Sequence, residues 1–592
     1  MRTQYLFNEE TSMTPLSQMQ QTKTLLTEGQ RIAYVGLSRL VAREMVQTLA
    51  LAAKGAKELE PARESCINWA NKIMGRLYRH MDVDSAEQRM IEQLAEHGVT
   101  AEDLTPSLVA TYTVDNPDYD PEAEELAALS KTLSAADKTV TLDIRWTILC
   151  DLFLALIADS VYDARSRVLL GRMAEKLGLE WNDVIRFERR LTEALEIQEA
   201  VKQKEHQEVL EGRRQKDKRN RYMMMGLATL GGGLVIGLSA GLLAPVIGAG
   251  LAGALTTVGV TGTSGFLAGA GGAAIISSGA TLTGSVIGGK AMAKRTRHVK
   301  TFDIQPLHNN KRVNFFITVP GFMNGPRDDI RLPFSTIDPV VGDVLSVLWE
   351  PDMMGDTGNA LKILTSEVLT QAGQQVLAAT VMTALMSALQ WPMMLTKLSY
   401  LIDNPWSNAL DRARQAGAVL ADILLNRRLG VRPVSLVGFS LGARVIFFAL
   451  IELAKANAFG VVQEVYLFGA TVTASKKVWR QVRGVVAGRF VNGYAMNDWV
   501  LGYLFRATTG GLQTVAGLRP IDHVPDLENV DITEFLEGHL SYRTKMPKLL
   551  AHVGFKTTAD HFDEPDQDPD APEREVLTKE EEDRRLAEKE KK

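Results

Sequence analysis

The apolar positions in the first part of the chain recur at helical spacing. Ile32, Val35, Leu37, Leu40, Val41, Met45, Leu49 and Leu51 follow one another with polar residues between them, which predicts helices across residues 15–140. The acidic, proline-bearing stretch from Asp115 to Glu122 interrupts that region as a solvated loop. A second helical block is expected over 142–164, 166–176 and 181–201. Asp151, Asp159 and Asp163 fall at helical spacing within it. They read either as a cation site or as a solvated acidic face, and the face is preferred because charge along a helix is usually surface.

From residue 202 the pattern changes twice. Lys202 to Arg221 reads as a charged helix that ends in a basic run, and Tyr222 to Gly289 then carries no charged side chain. That length exceeds two membrane spans of about 20 apolar residues each. Gly233, Gly237 and Gly241, and again Gly265 and Gly269, set a G-x-x-x-G spacing that lets helix backbones approach closely in lipid. Lys290, Lys294, Arg295, Arg297 and Lys300 restore positive charge on the far side. Basic flanks at both ends place both on the cytosolic side, so the expectation is a two-helix membrane hairpin. The competing reading is a Gly-rich apolar pair packed on the rest of the chain as core or lid.

Beyond residue 300 short buried strands alternate with helices. Val313 to Val319, Val344 to Trp349, Arg432 to Val437, Gln463 to Gly469, Arg489 to Ala495 and Thr514 to Arg519 read as strands. A long apolar helical insert, Leu361 to Leu401, carries Met382, Met386, Met393 and Met394, a surface suited to core or to a lipid-acyl pocket. The alternation predicts an α/β fold. The expected organisation is a helical N-terminal region (1–140), a helical domain with its basic helix (141–221), the apolar hairpin (222–289), an α/β-hydrolase domain (300–558) and a charged, disordered tail (559–592).

Composition narrows this picture only slightly. At 592 residues the chain is too long for one core, and its 45% hydrophobic and 23% charged residues are ordinary for a folded protein. A net charge of −5 says little about partners, and no nucleic-acid partner is expected. Two cysteines, Cys66 and Cys150, cannot build a disulfide framework and fit a reducing compartment. The first ten residues lack the apolar core of a secretory signal, so a membrane-bound, cytosol-facing protein is expected, on an endomembrane such as Golgi or endosome, and not a secreted one.

The candidate chemistry centres on Gly438-Phe439-Ser440-Leu441-Gly442, set between a predicted strand and a predicted helix. A G-x-S-x-G in that context reads as a nucleophile elbow, with Ser440 exposed at a turn too sharp for a Cβ at Gly438 or Gly442. The helix N-terminus behind it favours a developing anion. The first strand ends in Pro320-Gly321-Phe322-Met323, and the loop after an early strand supplies one oxyanion N–H in such folds. Phe322 or Met323, together with Leu441, are the candidate backbone donors.

The fold places the triad in the order Ser, acid, His. Of the nine histidines, His523, His539, His552 and His561 follow Ser440 with room for an acid between. His561 opens the acidic tail and His552 lies in an apolar run, which favours the other two. His539, in a Gly-His loop, is preferred over His523. Asp498, just past the strand from Arg489, is the preferred acid, with a helix-capping role as its bland alternative. Asp531 is held in reserve.

Several motifs together resemble the domain of unknown function 726 family. They are Asp403-Asn404-Pro405-Trp406-Ser407, Arg432-Pro433-Val434, Gly438 to Arg444, Gly488 to Asn492, Asn497-Asp498-Trp499 and Gly538 to Tyr542. That family includes transmembrane and coiled-coil domain-containing proteins and a fungal lipase that interacts with a clathrin-adaptor medium chain. The resemblance covers residues 140 to 555. It implies a membrane-associated α/β-hydrolase and raises Asp498 and His539 above their rivals. It also names the clathrin-adaptor medium chain as a conceivable partner. Separately, the run from Asp151 to Arg167 is similar to the helical pattern of tellurite-resistance TerB-like domains, which implies no catalytic role here.

The resulting expectation is a serine lipase or esterase acting on a membrane lipid ester through Ser440, His539 and Asp498, with the bilayer as partner and no metal or organic cofactor. The alternatives are a membrane-tethered trafficking adaptor with a hydrolase scaffold, and an acyltransferase or thioesterase.

Overall fold

The computed structural model describes residues 26–109, 111–115, 139–157, 161–189, 299, 301–310, 312–325, 328–373, 406–502 and 514–564. The apolar segment 222–289, the basic helix before it, Asp159, the helical insert beyond residue 373 and the tail beyond residue 564 lie outside the described residues. Among the described residues no helix is long and apolar enough to cross a membrane. The chain divides into two compact units, Met1–Thr48 with Cys66–Leu267, and Leu49–Ser65 with Ala268–Lys592.

The first unit draws on α1 (Glu28–Ala53) up to Thr48, α2 (Glu60–His80) from Cys66, α3 (Ser85–Gln93) and α4 (Ala101–Leu108). It continues through β1 (Thr111–Asp115), β2 (Thr139–Asp143), α5 (Ile144–Ile157), α6 (Ala164–Lys176) and a helical stretch at 181–189. Local chemistry sets the starts of helices. The Asp84 carboxylate accepts the Ala86 and Glu87 N–H groups while Glu87 Oε2 accepts from Asp84 N–H, a reciprocal cap for α3. The helical expectation across 15–140 needs a correction at its end. Thr111–Asp115 pairs antiparallel with Thr139–Asp143, and the β-branched threonines and valines of both segments explain why.

The aspartates of this unit also depart from expectation. Helix α5 is apolar on nearly every side and is buried almost throughout, so Asp151 has no solvated face to occupy. It lies 1% exposed, accepts from Tyr34 Oη at 3.0 Å and meets His80 Nε2 at 2.6 Å. Burial, then the Asp151 charge, pushes the Tyr34 phenol well up. Asp163 caps α6 through Arg165 N–H. Among the described residues no cluster of three metal-ligating side chains is present.

The second unit is an α/β fold around a mixed seven-stranded sheet. Its elements run β3 (Phe302–His308), β4 (Phe315–Val319), β5 (Asp343–Trp349), α7 (Pro351–Gly373), α8 (Ser407–Leu425) and β6 (Val434–Phe439). They continue with α9 (Leu441–Lys455), β7 (Val462–Phe468), α10 (Lys476–Arg483), β8 (Phe490–Tyr494), β9 (Leu527–Asp531) and α11 (Ser541–His552). The strand order is β3-β5-β4-β6-β7-β8-β9, and every pairing is parallel except β3 with β5. Strands β4 and β6 are buried at every position, as befits parallel strands covered on both faces.

Three boundaries differ from the sequence expectation. Strand β3 escapes notice because it carries Pro306, which an edge strand tolerates where a central one does not, and the register shifts beside it. Thr514 to Arg519 is not a strand: Ala516–Leu518 forms a short 3-10 turn whose N–H groups at Ala516 and Gly517 reach Val472 O and Ala470 O. The last strand is instead β9, whose sequence Leu-Glu-Asn-Val-Asp is too polar to show the expected alternation. The helix after β5 begins at Pro351, ten residues ahead of the expected insert.

Candidate active site

Loops at the C-terminal ends of β4, β6 and β8 converge, as ligand sites in open α/β sheets do. Ser440 is the first residue past β6 and precedes α9 with φ 54° and ψ −123°, a left-handed conformation that a serine adopts only under constraint. Its N–H donates to Phe468 O at 2.9 Å, which anchors the turn to the end of β7. The flanking glycines have steric reasons. A Cβ on Gly442 would run into the Val319 and Pro320 carbonyls, and one on Gly438 would lie 2.7 Å from Ile446 Cδ1. Gly321 approaches the serine itself: a Cβ there would sit 2.5 Å from both Ser440 Cβ and Phe439 O.

Ser440 Oγ lies 2.5 Å from His539 Nε2, and His539 Nδ1 lies 2.7 Å from Asp498 Oδ2. Ser440, His539 and Asp498 are all 1% exposed or less. Hydroxyl, imidazole and carboxylate therefore form one continuous chain of hydrogen bonds in a water-poor setting. Asp498 also caps the short turn behind it, accepting Leu501 N–H at Oδ1. Its capping and His-orienting roles thus use different oxygens of one carboxylate.

The other sequence candidates stand apart. His523 is exposed, and its carbonyl accepts from Arg480 Nε. His552 is exposed at the end of α11 against Phe535, and His561 pairs with Asp560 on the surface. Asp531 caps the turn at Thr533.

The oxyanion candidates separate as well. Met323 N–H donates to Met354 O at 3.2 Å, so it is already engaged and drops from the donor set. Phe322 N–H meets no backbone acceptor among the described residues. Leu441 opens α9, where an N–H has no intrahelical partner. Among the described residues Phe322 and Leu441 are the candidate donors that no backbone acceptor engages.

Sequence reasoning missed the aromatic enclosure. The rings of Phe322, Trp406 and Tyr542 stand 6.2, 6.3 and 5.5 Å from the His539 ring, centroid to centroid. Burial, then Asp498, pushes the Tyr542 phenol well above its usual value, which keeps it protonated beside the acid. Trp406 is 1% exposed, and its Nε1–H has no hydrogen-bond partner among the described residues. Arg444, one turn into α9, was also missed as a tether. Its Nε donates to Leu410 O at 2.8 Å and its Nη1 to Thr471 O at 2.7 Å, while Thr471 Oγ1 reaches back to Ser440 O. Burial pushes the Arg444 guanidinium down to about 10, still charged at neutral pH.

The family model described as "Protein of unknown function (DUF726)" matches residues 217–556. The chain belongs to the DUF726 family. A relative from Schizosaccharomyces pombe, named an uncharacterized membrane protein, is 47% identical over 571 residues, covering 94% of this chain and 73% of its own. The Saccharomyces cerevisiae protein named "Probable lipase MIL1" is 39% identical over 605 residues, covering 92% of this chain. This chain spans just over half, 56%, of that relative's length. The Oryza sativa subsp. japonica protein named "Transmembrane and coiled-coil domain-containing protein STS1" is 36% identical over 414 residues, 67% of this chain and 61% of its own. No solved structure matches the chain. Within this DUF726 chain the matched region contains every residue of the hydrogen-bonded Ser-His-Asp set.

Proposed function

We propose that the second unit of this chain is an α/β-hydrolase that cleaves a lipid ester at a membrane through an acyl-enzyme. The observation that carries the reading is the Ser440–His539–Asp498 hydrogen-bond chain at the C-terminal edge of the parallel sheet. In this reading Ser440 Oγ attacks the acyl carbonyl while His539 Nε2 accepts its proton. Asp498 holds His539 with its Nδ1–H directed away from the serine and stabilises the imidazolium. The N–H groups of Phe322 and Leu441 receive the oxyanion. His539 returns the proton to the leaving alcohol, and water repeats the sequence to release the acid.

Lipid as the acyl source rests on two supports. A relative carries a lipase name, and others carry membrane-protein names. The fully buried triad with its aromatic surround also suits an apolar acyl chain better than a hydrated substrate. Membrane attachment through segment 222–289 and contact with a clathrin-adaptor medium chain belong to the same proposal. An acyltransferase or thioesterase would use the same triad with another acceptor or leaving group. A trafficking adaptor with an idle hydrolase scaffold would need no chemistry at Ser440.

The test is fatty-acid release from vesicles of diacyl glycerophospholipid and diacylglycerol by the full chain and by Ser440→Ala. Release by the wild type that Ser440→Ala abolishes supports the reading. Release that Ser440→Ala leaves intact contradicts it.

A further inference from the structure

The loop that carries Phe322 is fastened to the element that carries His539 by a buried ion pair outside the triad. Arg543 is the third residue of α11, four positions beyond His539, and its side chain is 1% exposed. It grips Asp328 with two nitrogens: Nε donates to Oδ2 at 3.1 Å and Nη2 to Oδ1. Asp328 is 5% exposed at the side chain and turns its Oδ2 onward to accept Asn324 N–H at 2.7 Å. Asn324 lies two residues from Phe322. One carboxylate thus links α11 to the backbone of the oxyanion loop.

Trp349 Nε1 donates to Pro320 O at 3.2 Å and ties the start of that loop to β5. Met323 N–H is fixed to Met354 O at the start of α7, and Lys362 Nζ donates to Asn324 O at 3.1 Å. Both hold the loop to α7. Arg543 and Asp328 alone in this set hold it to the His539 element. A third group completes the cluster from the C-terminal segment: Glu564 Oε2 reaches Arg543 Nη2 at 3.2 Å, and the guanidinium stands over the Phe562 ring at 5.3 Å.

We propose that Arg543 and Asp328 are positioning residues that hold the oxyanion N–H of Phe322 in register with the His539–Ser440 pair. The proposal rests on the hydrolase reading above. A planar, bidentate guanidinium fixes both distance and angle, which a lysine ammonium does not. An oxyanion donor must stand within a few tenths of an ångström of where charge develops, and losing one such donor costs on the order of 10²–10³-fold in rate. A loosened clamp therefore lowers kcat while leaving ground-state binding of the acyl chain alone.

The test compares wild type, Arg543→Lys and Asp328→Asn as full chains, with p-nitrophenyl butyrate as substrate. Active sites are first counted by titration with a fluorophosphonate, so that misfolded protein is excluded. Asp328→Asn is isosteric and serves if Arg543→Lys folds poorly. The expected result is a kcat per titrated site down by roughly 10–100-fold, with KM within about threefold and an unchanged midpoint of the pH–rate profile. Affinity for an alkyl trifluoromethyl ketone, which presents an oxyanion, should fall by the same factor as kcat. The double variant should be no worse than the poorer single one, because the two act as one unit. Unchanged kcat per titrated site, with fewer active sites only, would overturn the proposal and leave the pair a stability element. Failure of the wild type to titrate at Ser440 would instead overturn the hydrolase reading and the positioning role with it.

Discussion

Ser440 Oγ and His539 Nε2 stand 2.5 Å apart although 99 residues of chain separate them. The sheet makes that meeting possible. β6 ends at the serine, β8 delivers Asp498, and the chain must then pass β9 before the loop ahead of α11 returns His539. The first prediction concerns the third member of this chain. Asp498→Asn keeps the size of the side chain but gives His539 Nδ1 an amide partner that can hold the wrong tautomer. Its kcat should fall by about 10³–10⁴-fold with little change in KM, read by steady-state ester hydrolysis. A fall below tenfold would remove Asp498 from the mechanism.

Gly321 tests the contact between the oxyanion loop and the elbow. A methyl group there would meet Ser440 Cβ and Phe439 O, both at 2.5 Å, so the loop must retreat. Gly321→Ala should lose roughly 10²–10³-fold in kcat while still binding apolar acyl chains. Wild-type kcat would show that this loop does not serve the oxyanion.

Trp406 stands beside His539, with ring centroids 6.3 Å apart. It contacts the His539 ring edge-on, and both residues are buried. Trp406→Ala should speed Ser440 labelling by a bulky fluorophosphonate relative to a small one. It should also cost about 3–5 kcal/mol of stability to the lost packing, measured by denaturant unfolding. Equal rate ratios in wild type and variant would show that the indole is not the barrier.

Glu564 gives a pH prediction. Burial raises its carboxyl above the usual value, with Arg543 opposing and Asp328 adding. A carboxyl whose folded-state pKa exceeds its unfolded one binds protons more tightly when folded. Stability therefore falls as pH climbs from the unfolded value through the folded one. Glu564→Gln removes that loss. It should be at least as stable as wild type at pH 7, and its advantage should vanish below about pH 4. Limited proteolysis of the C-terminal segment across pH reads this directly, and a Glu564→Gln chain cleaved faster at pH 7 contradicts it.

Much of the site was legible because its chemistry is local in sequence. G-F-S-L-G between a buried strand and a helix marks the elbow, and Asn-Asp after β8 and Gly-His ahead of α11 mark loop residues. What was not legible depends on long-range packing. Met323 N–H is spent on Met354, a helix packing against the loop that no spacing rule reveals. Arg543 and Asp328 are 215 residues apart and look like surface charges until the fold buries them. Asp151 looks like part of an acidic stripe, yet the apolar residues around it in α5 take it into the core. Strands β3 and β9 were missed because edge strands carry the prolines and polar residues that central strands exclude.

The proposed chemistry turns on Ser440 being a nucleophile activated by His539. The most direct measurement is mass spectrometry of the full chain after exposure to a small alkyl fluorophosphonate, beside Ser440→Ala and His539→Ala. One covalent adduct is expected on the Ser440 peptide of the wild type, none on Ser440→Ala, and labelling slowed at least about 10³-fold in His539→Ala. A wild type that takes up no adduct at Ser440, or a His539→Ala chain labelled at the wild-type rate, would contradict it.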